Sequence, residues 1–332
     1  MRFFGYLLLA AGAAAVTLAT PPGFAQTASN AASTWPNRLV TFIIPLTAGG
    51  PSDREIRLYN ERLQQSTGQP FVVDFKPGGN AVIGNNYVAK SKPDGYTWLL
   101  TSSGFAIIPA FRDDLPYDTL KDFAPTSLVS KRAMLLVVSA AVPANSYEEY
   151  IAYARANPGK LNWGSAAQGG VTHLVGAWLH NATRTEVTFV HYKGSAPAVI
   201  DALAGRIDVV TISIGTGLQH FKSGKLKALA LLTGNRVSAL PQLRTVAELG
   251  IPDYEYPSWL GLLAPATTPV DIVNRMSAEL GKAVRAPDLL AKLESEAIAP
   301  VGSTPAELVR VVASDVARWK KLVKDNNIKT TE

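Results

Sequence analysis

The fold class is indicated most clearly by one segment, Leu39-Val-Thr-Phe-Ile-Ile44, followed by Pro45-Leu-Thr-Ala-Gly-Gly-Pro-Ser-Asp53. The six-residue apolar run predicts a buried strand. Asp53 is predicted to be the N-cap of the helix that follows, because apolar residues then recur at helical spacing as far as Leu63. A strand, a glycine-containing loop and a helix in this order are typical of an α/β sheet that binds ligands at the carboxyl ends of its strands.

The alternation of strands and helices continues along the chain. The next predicted elements are strands at 71–75 and 96–100 with a helix at 81–89 between them, which completes a βαβαβ series. A second series begins near Val142, with helices at 147–156, 170–179 and 196–203 and strands at 162–165, 187–190, 207–211 and 226–232. An apolar stripe from Leu308 to Val323 predicts a C-terminal helix that packs on the core.

Two series of α/β units predict two lobes, each a mostly parallel sheet flanked by helices. The extended apolar segments 123–139 and 254–264 are predicted to cross between the lobes. The first lobe is therefore expected to be discontinuous, with residues 35–127 and 258–332, and the second to comprise residues 128–257.

The N-terminus has the pattern of an export signal. A basic start at Met1-Arg2 precedes an apolar run, Phe3–Leu18, and the small residues of Gly23-Phe24-Ala25 suit signal peptidase. Residues 1–25 are predicted to be a signal peptide cleaved after Ala25, and residues 26–34 a flexible segment. The alternative, a membrane anchor, is disfavoured because the run is short and Pro21-Pro22 interrupts it. We therefore expect a soluble periplasmic protein.

Composition excludes several classes of function. Hydrophobic residues make up 47% of the chain and charged residues 17%, which is typical of a globular protein rather than a disordered one. The net charge of +6 comes from scattered Lys and Arg, whereas a nucleic-acid-binding protein more often has a dense basic stripe. The absence of Cys excludes disulfides, thiolate metal sites and Cys nucleophiles. No cofactor, metal or nucleic-acid partner is expected.

Three short loops rich in Gly, Ser and Thr follow predicted strands, at 47–53, 101–104 and 164–170. Glycines allow backbone N–H groups to turn toward a ligand, and a helix N-terminus adds positive potential. One such loop alone is more often a simple connection. Three of them, divided between two lobes, favour an anion-binding cleft.

Common enzyme motifs are absent from the sequence. The sequence contains no G-x-S-x-G, no Walker motif, and no G-x-G-x-x-G within residues 78–84. His173 and His180 are seven residues apart on one predicted helix, which is too far for a metal-binding pair at i and i+4. The sequence therefore predicts a binding protein without catalytic residues, and a secreted hydrolase is the least favoured alternative.

An ordered series of short segments resembles a known family, and it extends from Trp35 to about Val323. The segments include Gly49-Gly50-Pro51-Ser52-Asp53, Lys76-Pro77-Gly78-Gly79-Asn80, Lys92-Pro93-Asp94-Gly95-Tyr96-Thr97, Leu115-Pro116-Tyr117-Asp118, Tyr192-Lys193-Gly194-Ser195-Ala196-Pro197-Ala198 and Gly224-Lys225-Leu226-Lys227-Ala228-Leu229-Ala230. Together they resemble the substrate receptors of tripartite tricarboxylate transporters, often called the Bug or TctC-like family. The resemblance implies a two-lobed Venus-flytrap fold.

The resemblance also implies that backbone N–H groups and water hold a carboxylate between the lobes. In the first lobe the expected ligand contacts are Thr47, Ala48, Gly50, Ser52, Asp53, Ser102, Ser103 and Phe105. In the second they are Ser165, Gln168, Gly169, Gly170, His173, Tyr192 and Ser213. Asp53 is expected to cap its own helix and to orient the loop or a bound water.

The chain departs from the family pattern at Thr47-Ala48, at His191 where many members have Pro, at Thr211–Thr216 where many carry Asp, and at the bulky Phe105. A small dicarboxylate is the expected ligand. An aromatic carboxylate that stacks on Phe105 or on the 256–259 segment is the alternative, although such aromatics are more often core residues. The expected partners of a monomeric receptor are the membrane subunits of the transporter, or alternatively the ectodomain of a membrane signalling receptor.

Overall fold

The computed structural model describes residues 34–325 and residue 328. The predicted signal peptide, its cleavage site and residues 26–33 lie outside the described residues. Within the described part of the chain, no helix combines the length and the apolar character needed to cross a membrane.

The described residues form two sheets, with the elements numbered here in chain order. The strands are β1 (Val40–Ile44), β2 (Phe71–Phe75), β3 (Thr97–Ser102), β4 (Phe123–Arg132), β5 (Met134–Ser139), β6 (Asn162–Ser165), β7 (Thr188–His191), β8 (Val209–Ser213), β9 (Leu226–Leu231), β10 (Trp259–Pro265) and β11 (Ile298–Pro300). The helices are α1 (Pro51–Thr67), α2 (Val82–Ala89), α3 (Gly104–Ile107), α4 (Tyr147–Ala156), α5 (Val171–Thr183), α6 (Ser195–Leu203), α7 (Ile214–Lys222), α8 (Val270–Val284), α9 (Pro287–Ser295) and α10 (Pro305–Asp325). A short 3₁₀ turn, Ile108–Ala110, follows α3.

The first sheet has the strand order β11-β4-β10-β3-β1-β2. Successive side chains of β1 point to opposite faces: Phe42 and Ile44 pack with α1 and α8, whereas Ile43 packs with α3 and α10. Both faces of the sheet are therefore covered by helices, which explains the uninterrupted apolar run that identified β1 in the sequence.

The second sheet has the order β7-β6-β8-β5-β9, with α4 and α5 packed on one face and α6 on the other. In β5, Leu136 and Val138 belong to the core on the α4 and α5 side of the sheet. Leu135 and Val137 belong to the core on the α6 side. In each sheet four strands run in one direction, since β10 and β11 oppose the others in the first sheet and β5 opposes its neighbours in the second. The predicted fold class, two mostly parallel sheets flanked by helices, is confirmed.

Within residues 34–325 the chain crosses between the sheets twice. β4 remains in the first sheet as far as Arg132 and β5 begins in the second at Met134, while the return crossing precedes β10 near Ser258. The expected boundary after residue 127 thus falls inside β4. We propose that Ala133 and Ser258 are the hinge positions.

The C-terminal helix α10 makes a third connection between the sheets. Its first half packs on the first sheet, and its last turns belong to the core of the second. There the ring of Trp319 lies 6.2 Å from that of Trp178, edge to face, and Arg318 pairs with Glu255. In the part of the chain that the structure describes, the lobes are therefore joined by two crossings and one shared helix.

Burial of His180 is expected to make the stability of the second lobe sensitive to acid. The ring lies between the Tyr150 hydroxyl at 3.0 Å and the Thr185 hydroxyl at 2.6 Å, and burial lowers its pKa from 6.5 to about 4. Because the folded pKa is below the unfolded one, the stabilisation is complete above pH 6.5 and is lost as the pH falls toward 4. We expect urea unfolding to show a loss of up to about 3 kcal/mol from this group over that range.

The matched variants are His180→Gln, which should make this part of the pH dependence less steep, since His173 still contributes over the same range, and His220→Gln in α7, which should preserve it. Identical pH profiles for all three proteins would contradict the assignment to His180.

Candidate ligand-binding site

The candidate site is the cleft where the carboxyl ends of β1 and β3 face those of β6, β7 and β8. The two sides approach closely, because a β-carbon on Gly104 would lie 3.9 Å from Cγ2 of Val171 at the start of α5. Beside the hinge, the N-termini of α1 and α7 enclose a cavity of about 290 Å³. Both lobes line it, with Pro51, Arg54, Arg132, Glu296 and Ile298 on one side and Ser213, Gly215 and Thr216 on the other.

The first loop enters α1 with Gly50, not Asp53, as the N-cap. The helix starts earlier than predicted because Pro51 occupies its first position, where a missing N–H group costs nothing. Asp53 lies in the first turn, where its carboxylate accepts hydrogen bonds from the Gly49 N–H at 2.9 Å and from Nε of Arg57 at 2.6 Å. Asp53 therefore orients the loop, as expected, although it does not cap the helix.

The loop is also held from its outer side. Gly49 adopts a φ of 77°, which favours glycine, and its carbonyl accepts a hydrogen bond from Arg54 at 2.8 Å. Thr47 and Ala48 are exposed, Gly50 is half-buried and Ser52 is buried. The accessible part of the loop thus consists of residues 47–50, directly before the helix N-terminus.

The second loop offers backbone and hydroxyl groups but not an aromatic surface. Ser102 is half-buried and Ser103 is buried. The ring of Phe105 is 1% exposed, with an edge-to-face contact to Phe123 at 5.0 Å and stacking against Tyr117 at 6.5 Å. The interpretation of Phe105 as a stacking surface is therefore wrong, since the core of the first lobe encloses the ring.

The same correction applies to the 256–259 segment. Tyr256 and Trp259 are 9% and 4% exposed, and Nε1 of Trp259 donates a hydrogen bond to Asp315 at 2.7 Å. Burial also raises the pKa of that carboxyl group. Both aromatic side chains serve the packing between the first sheet, the hinge and α10, so they offer no surface to a ring in the cleft.

In the second lobe, the loop after β6 leads into α5 with Gly170 as the N-cap. His173 holds this loop from below, because its Nδ1 accepts a hydrogen bond from the Gly169 N–H at 3.1 Å. Burial, together with the nearby His191, lowers the pKa of His173 to about 4, so the ring is neutral near pH 7. Ser165 and Gly169 are buried, whereas Gln168 is exposed.

Tyr192 and Ser213 are engaged within the second lobe. The Tyr192 hydroxyl donates to Asp201 at 2.7 Å, and burial together with this carboxylate raises its pKa to about 12. Ser213 is the N-cap of α7, where its Oγ accepts a hydrogen bond from the Thr216 N–H. Ser213 also lines the hinge cavity, so it can contact both the helix and a ligand.

Sequence reasoning did not find three residues at the cleft. Arg132 forms an ion pair with the buried Glu55 and donates to the Pro51 carbonyl at 3.0 Å. Glu296 lines the hinge cavity. His191 contacts Ser165 at the edge of the second sheet. Of these three, only His191 could have been found from the sequence, because it directly follows a predicted strand. The positions of the other two at the cleft depend on contacts between distant parts of the chain.

The arrangement suits an anion rather than catalysis. The N-termini of α1, α5 and α7, capped by Gly50, Gly170 and Ser213, border the cleft from both lobes. Each contributes positive potential. In the first turn of α7, however, the Ile214 N–H is bound to the Ala133 carbonyl and the Thr216 N–H to the Ser213 hydroxyl. Among the described residues, no group of three or more acidic or His side chains could hold a metal ion.

Residues 56–328 match the tripartite tricarboxylate transporter family receptor, TctC. A UPF0065 protein from a Pseudomonas species, encoded in the tcbD-tcbE intergenic region, is 35% identical over 290 residues, which are 87% of this chain and 86% of the relative. The protein BugT of Bordetella pertussis is 32% identical over 304 residues, with 90% and 92% coverage.

Solved structures show the same similarity. The periplasmic binding protein BugD has a TM-score of 0.81 at 30% identity, over 90% of this chain and all of the BugD chain. An R. palustris protein with adipate has a TM-score of 0.82 at 34% identity, with 89% and 99% coverage. MatC from Rhodopseudomonas palustris, with bound malate, has a TM-score of 0.79 at 27% identity, with 87% and 100% coverage.

Proposed function

Because the chain belongs to the tripartite tricarboxylate transporter receptor family, we propose that it captures a small dicarboxylate between its lobes and delivers it to the membrane subunits of such a transporter. The observation that carries the proposal is the convergence of three helix N-termini, from α1, α5 and α7, on one inter-lobe cleft. Members of the family are periplasmic solute-binding receptors rather than enzymes.

The first lobe provides the binding site for one carboxylate of the ligand. Asp53 and Arg54 fix the backbone of residues 49–50 from two sides, so the N–H groups at the start of α1 are oriented before the ligand arrives. Such charge-assisted hydrogen bonds to a carboxylate are stronger than neutral ones. Water can hydrogen-bond to the same N–H groups when no ligand is bound, so an open ligand-free form has little free-energy cost.

The second lobe completes the site by contacting the other end of the ligand. The N-termini of α5 and α7 lie on this side, with the half-buried Gly170 and Ser213 at their starts. A ligand that touches both lobes binds the closed form better than the open one, and this difference in affinity drives closure. A second carboxylate is therefore the most suitable group for the distal end.

The choice of an aliphatic over an aromatic ligand is supported by burial. Phe105, Tyr256 and Trp259 are all buried in cores, so none of these three side chains offers an accessible face on which an aromatic ligand could stack. The malate and adipate bound to two similar proteins are aliphatic dicarboxylates, which supports the same class here.

Export belongs to the proposal as well. We expect the exported protein to begin at or near Gln26, after cleavage at Ala25, and to act as a monomer. Intact-mass measurement of the periplasmic form tests the first point, and retention of residues 1–25 would contradict it.

A thermal-shift screen of the mature protein against mono-, di-, tri- and aromatic carboxylates tests the ligand class. At a concentration of about 100 times its dissociation constant, a ligand stabilises the folded state by about 2.7 kcal/mol, which is easily detected. We expect aliphatic dicarboxylates to give the largest shifts. No shift with any carboxylate would contradict the proposed function, and a preference for benzoate-type ligands would contradict the aliphatic class.

A further inference from the structure

His191 and Ser165 form a side-chain pair at the edge of the second sheet. They occupy the last positions of the parallel strands β7 and β6, and Nδ1 of His191 lies 2.6 Å from Oγ of Ser165. Ser165 is fully buried, whereas His191 is exposed. Of the two side chains, the imidazole is therefore the one that solvent and ligands can reach, although Ser165 is the residue that sequence reasoning selected.

Phe189, His173 and Ser165 contact the ring of His191. It stacks parallel to Phe189 with ring centres 6.4 Å apart, and it meets the ring of His173 at 4.9 Å. Ser165 fixes the third side. The His173 ring is itself held in place, because its Nδ1 accepts a hydrogen bond from the Gly169 N–H of the loop that leads into α5. His191 is thus fixed against the wall of the candidate ligand site.

The hydroxyl of Ser165 can support either charge state of the ring. A serine hydroxyl donates to Nδ1 when the imidazole is neutral, and it accepts from Nδ1–H when the imidazole is protonated. The hydrogen bond is kept in both states, so protonation changes the charge at this wall without requiring a new side-chain position.

The titratable group that faces the ring from α5 is His173, which burial keeps neutral near pH 7. Ser165 faces it from β6, and Phe189 from its own strand. In the turn that follows β7, Lys193 is exposed, while Asp201 is occupied by Arg206 and by the Tyr192 hydroxyl. The carboxylate of Asp201 is thus already engaged by an arginine and a hydroxyl group of the same lobe.

We infer that His191 binds the distal carboxylate of the ligand and takes up a proton when it does so, with Ser165 as the residue that positions the ring. The inference rests on the proposed function and names the second-lobe partner of the ligand. Imidazole is the side chain that titrates near neutral pH, and an adjacent carboxylate stabilises its protonated form. Affinity should therefore rise as the pH falls toward 6.

Isothermal titration calorimetry with malate, adipate and benzoate, at pH 6 and pH 8 and constant ionic strength, tests the inference. The carboxyl groups remain largely ionised in this range, so their own titration contributes little. We expect the dicarboxylate that binds to do so about five- to tenfold more tightly at pH 6, with net proton uptake near pH 7.

The His191→Gln variant should bind with equal affinity at both pH values, at the weaker level of the wild type at pH 8. Ser165→Ala should weaken binding but keep the pH dependence. His220→Gln, which removes an imidazole from the last turn of α7, should behave as the wild type.

Equal wild-type affinities at pH 6 and pH 8, or an unchanged pH dependence in His191→Gln, would overturn the role of His191 and leave the proposed function standing. Failure of all three carboxylates to bind at either pH would instead contradict the proposed function itself.

Discussion

Replacing Gly50 with valine is expected to weaken carboxylate binding by about 100-fold or more while the protein still folds. Gly50 is the N-cap of α1, and its φ of −70° and ψ of 172° are extended values that valine adopts without strain. The added methyl groups would occupy the space in front of the N–H groups at the start of the helix. Loss of two hydrogen bonds to a charged ligand, at about 1.5–3 kcal/mol each, gives an effect of this size.

The matched control is Gly50→Ala. Its β-carbon would meet only the Thr47 carbonyl oxygen, at an ordinary contact distance of 3.5 Å, so we expect a loss of affinity below about tenfold. Calorimetry measures both affinities, and urea unfolding tests whether the two variants remain as stable as the wild type to within about 1 kcal/mol. Unchanged affinity in Gly50→Val would mean that the first loop is only a connection between β1 and α1.

The sequence was sufficient to predict most of the fold because its signals are local. The apolar run of β1 is buried on both faces, and the helix predicted at 147–156 has the same bounds as α4. The strand predicted at 207–211 is shifted to Val209–Ser213, because the N–H groups of residues 206 and 207 close a turn on the Asp201 carbonyl. Boundaries set by such turns are hard to find from composition.

The candidate site was only partly predictable, for a different reason. The three loops could be located because glycine and hydroxyl residues follow predicted strands. Phe105 was misinterpreted, since its neighbours Tyr117 and Phe123 come from later in the chain and bury it. Ser165 was selected although His191 covers it, because the 2.6 Å contact joins residues 26 positions apart. Pairings of this kind become visible only when the strands are adjacent.

The hinge contains a buried ion pair that no sequence pattern indicated. Glu55 of α1 and Arg132 at the end of β4 are 77 positions apart, with side chains 1% and 13% exposed, and the Tyr59 hydroxyl donates to the same carboxylate at 3.1 Å. Arg132 also binds the Pro51 carbonyl. The pair therefore ties the start of α1, and with it the first ligand loop, to the strand that crosses between the lobes.

Arg132→Met is expected to lower the free energy of unfolding by about 3–5 kcal/mol, because it leaves the carboxylate of Glu55 buried without its partner. The double variant Glu55→Met with Arg132→Met removes both charges and should recover most of that loss. Urea unfolding measures the stabilities of the wild type, the single variant and the double variant. The control is Arg236→Met, which removes one partner of an exposed ion pair and is expected to lower the free energy of unfolding by less than about 1 kcal/mol. If Arg132→Met costs no more than Arg236→Met, the hinge pair does not stabilise the fold, and the first ligand loop is positioned by Asp53 and Arg54 alone.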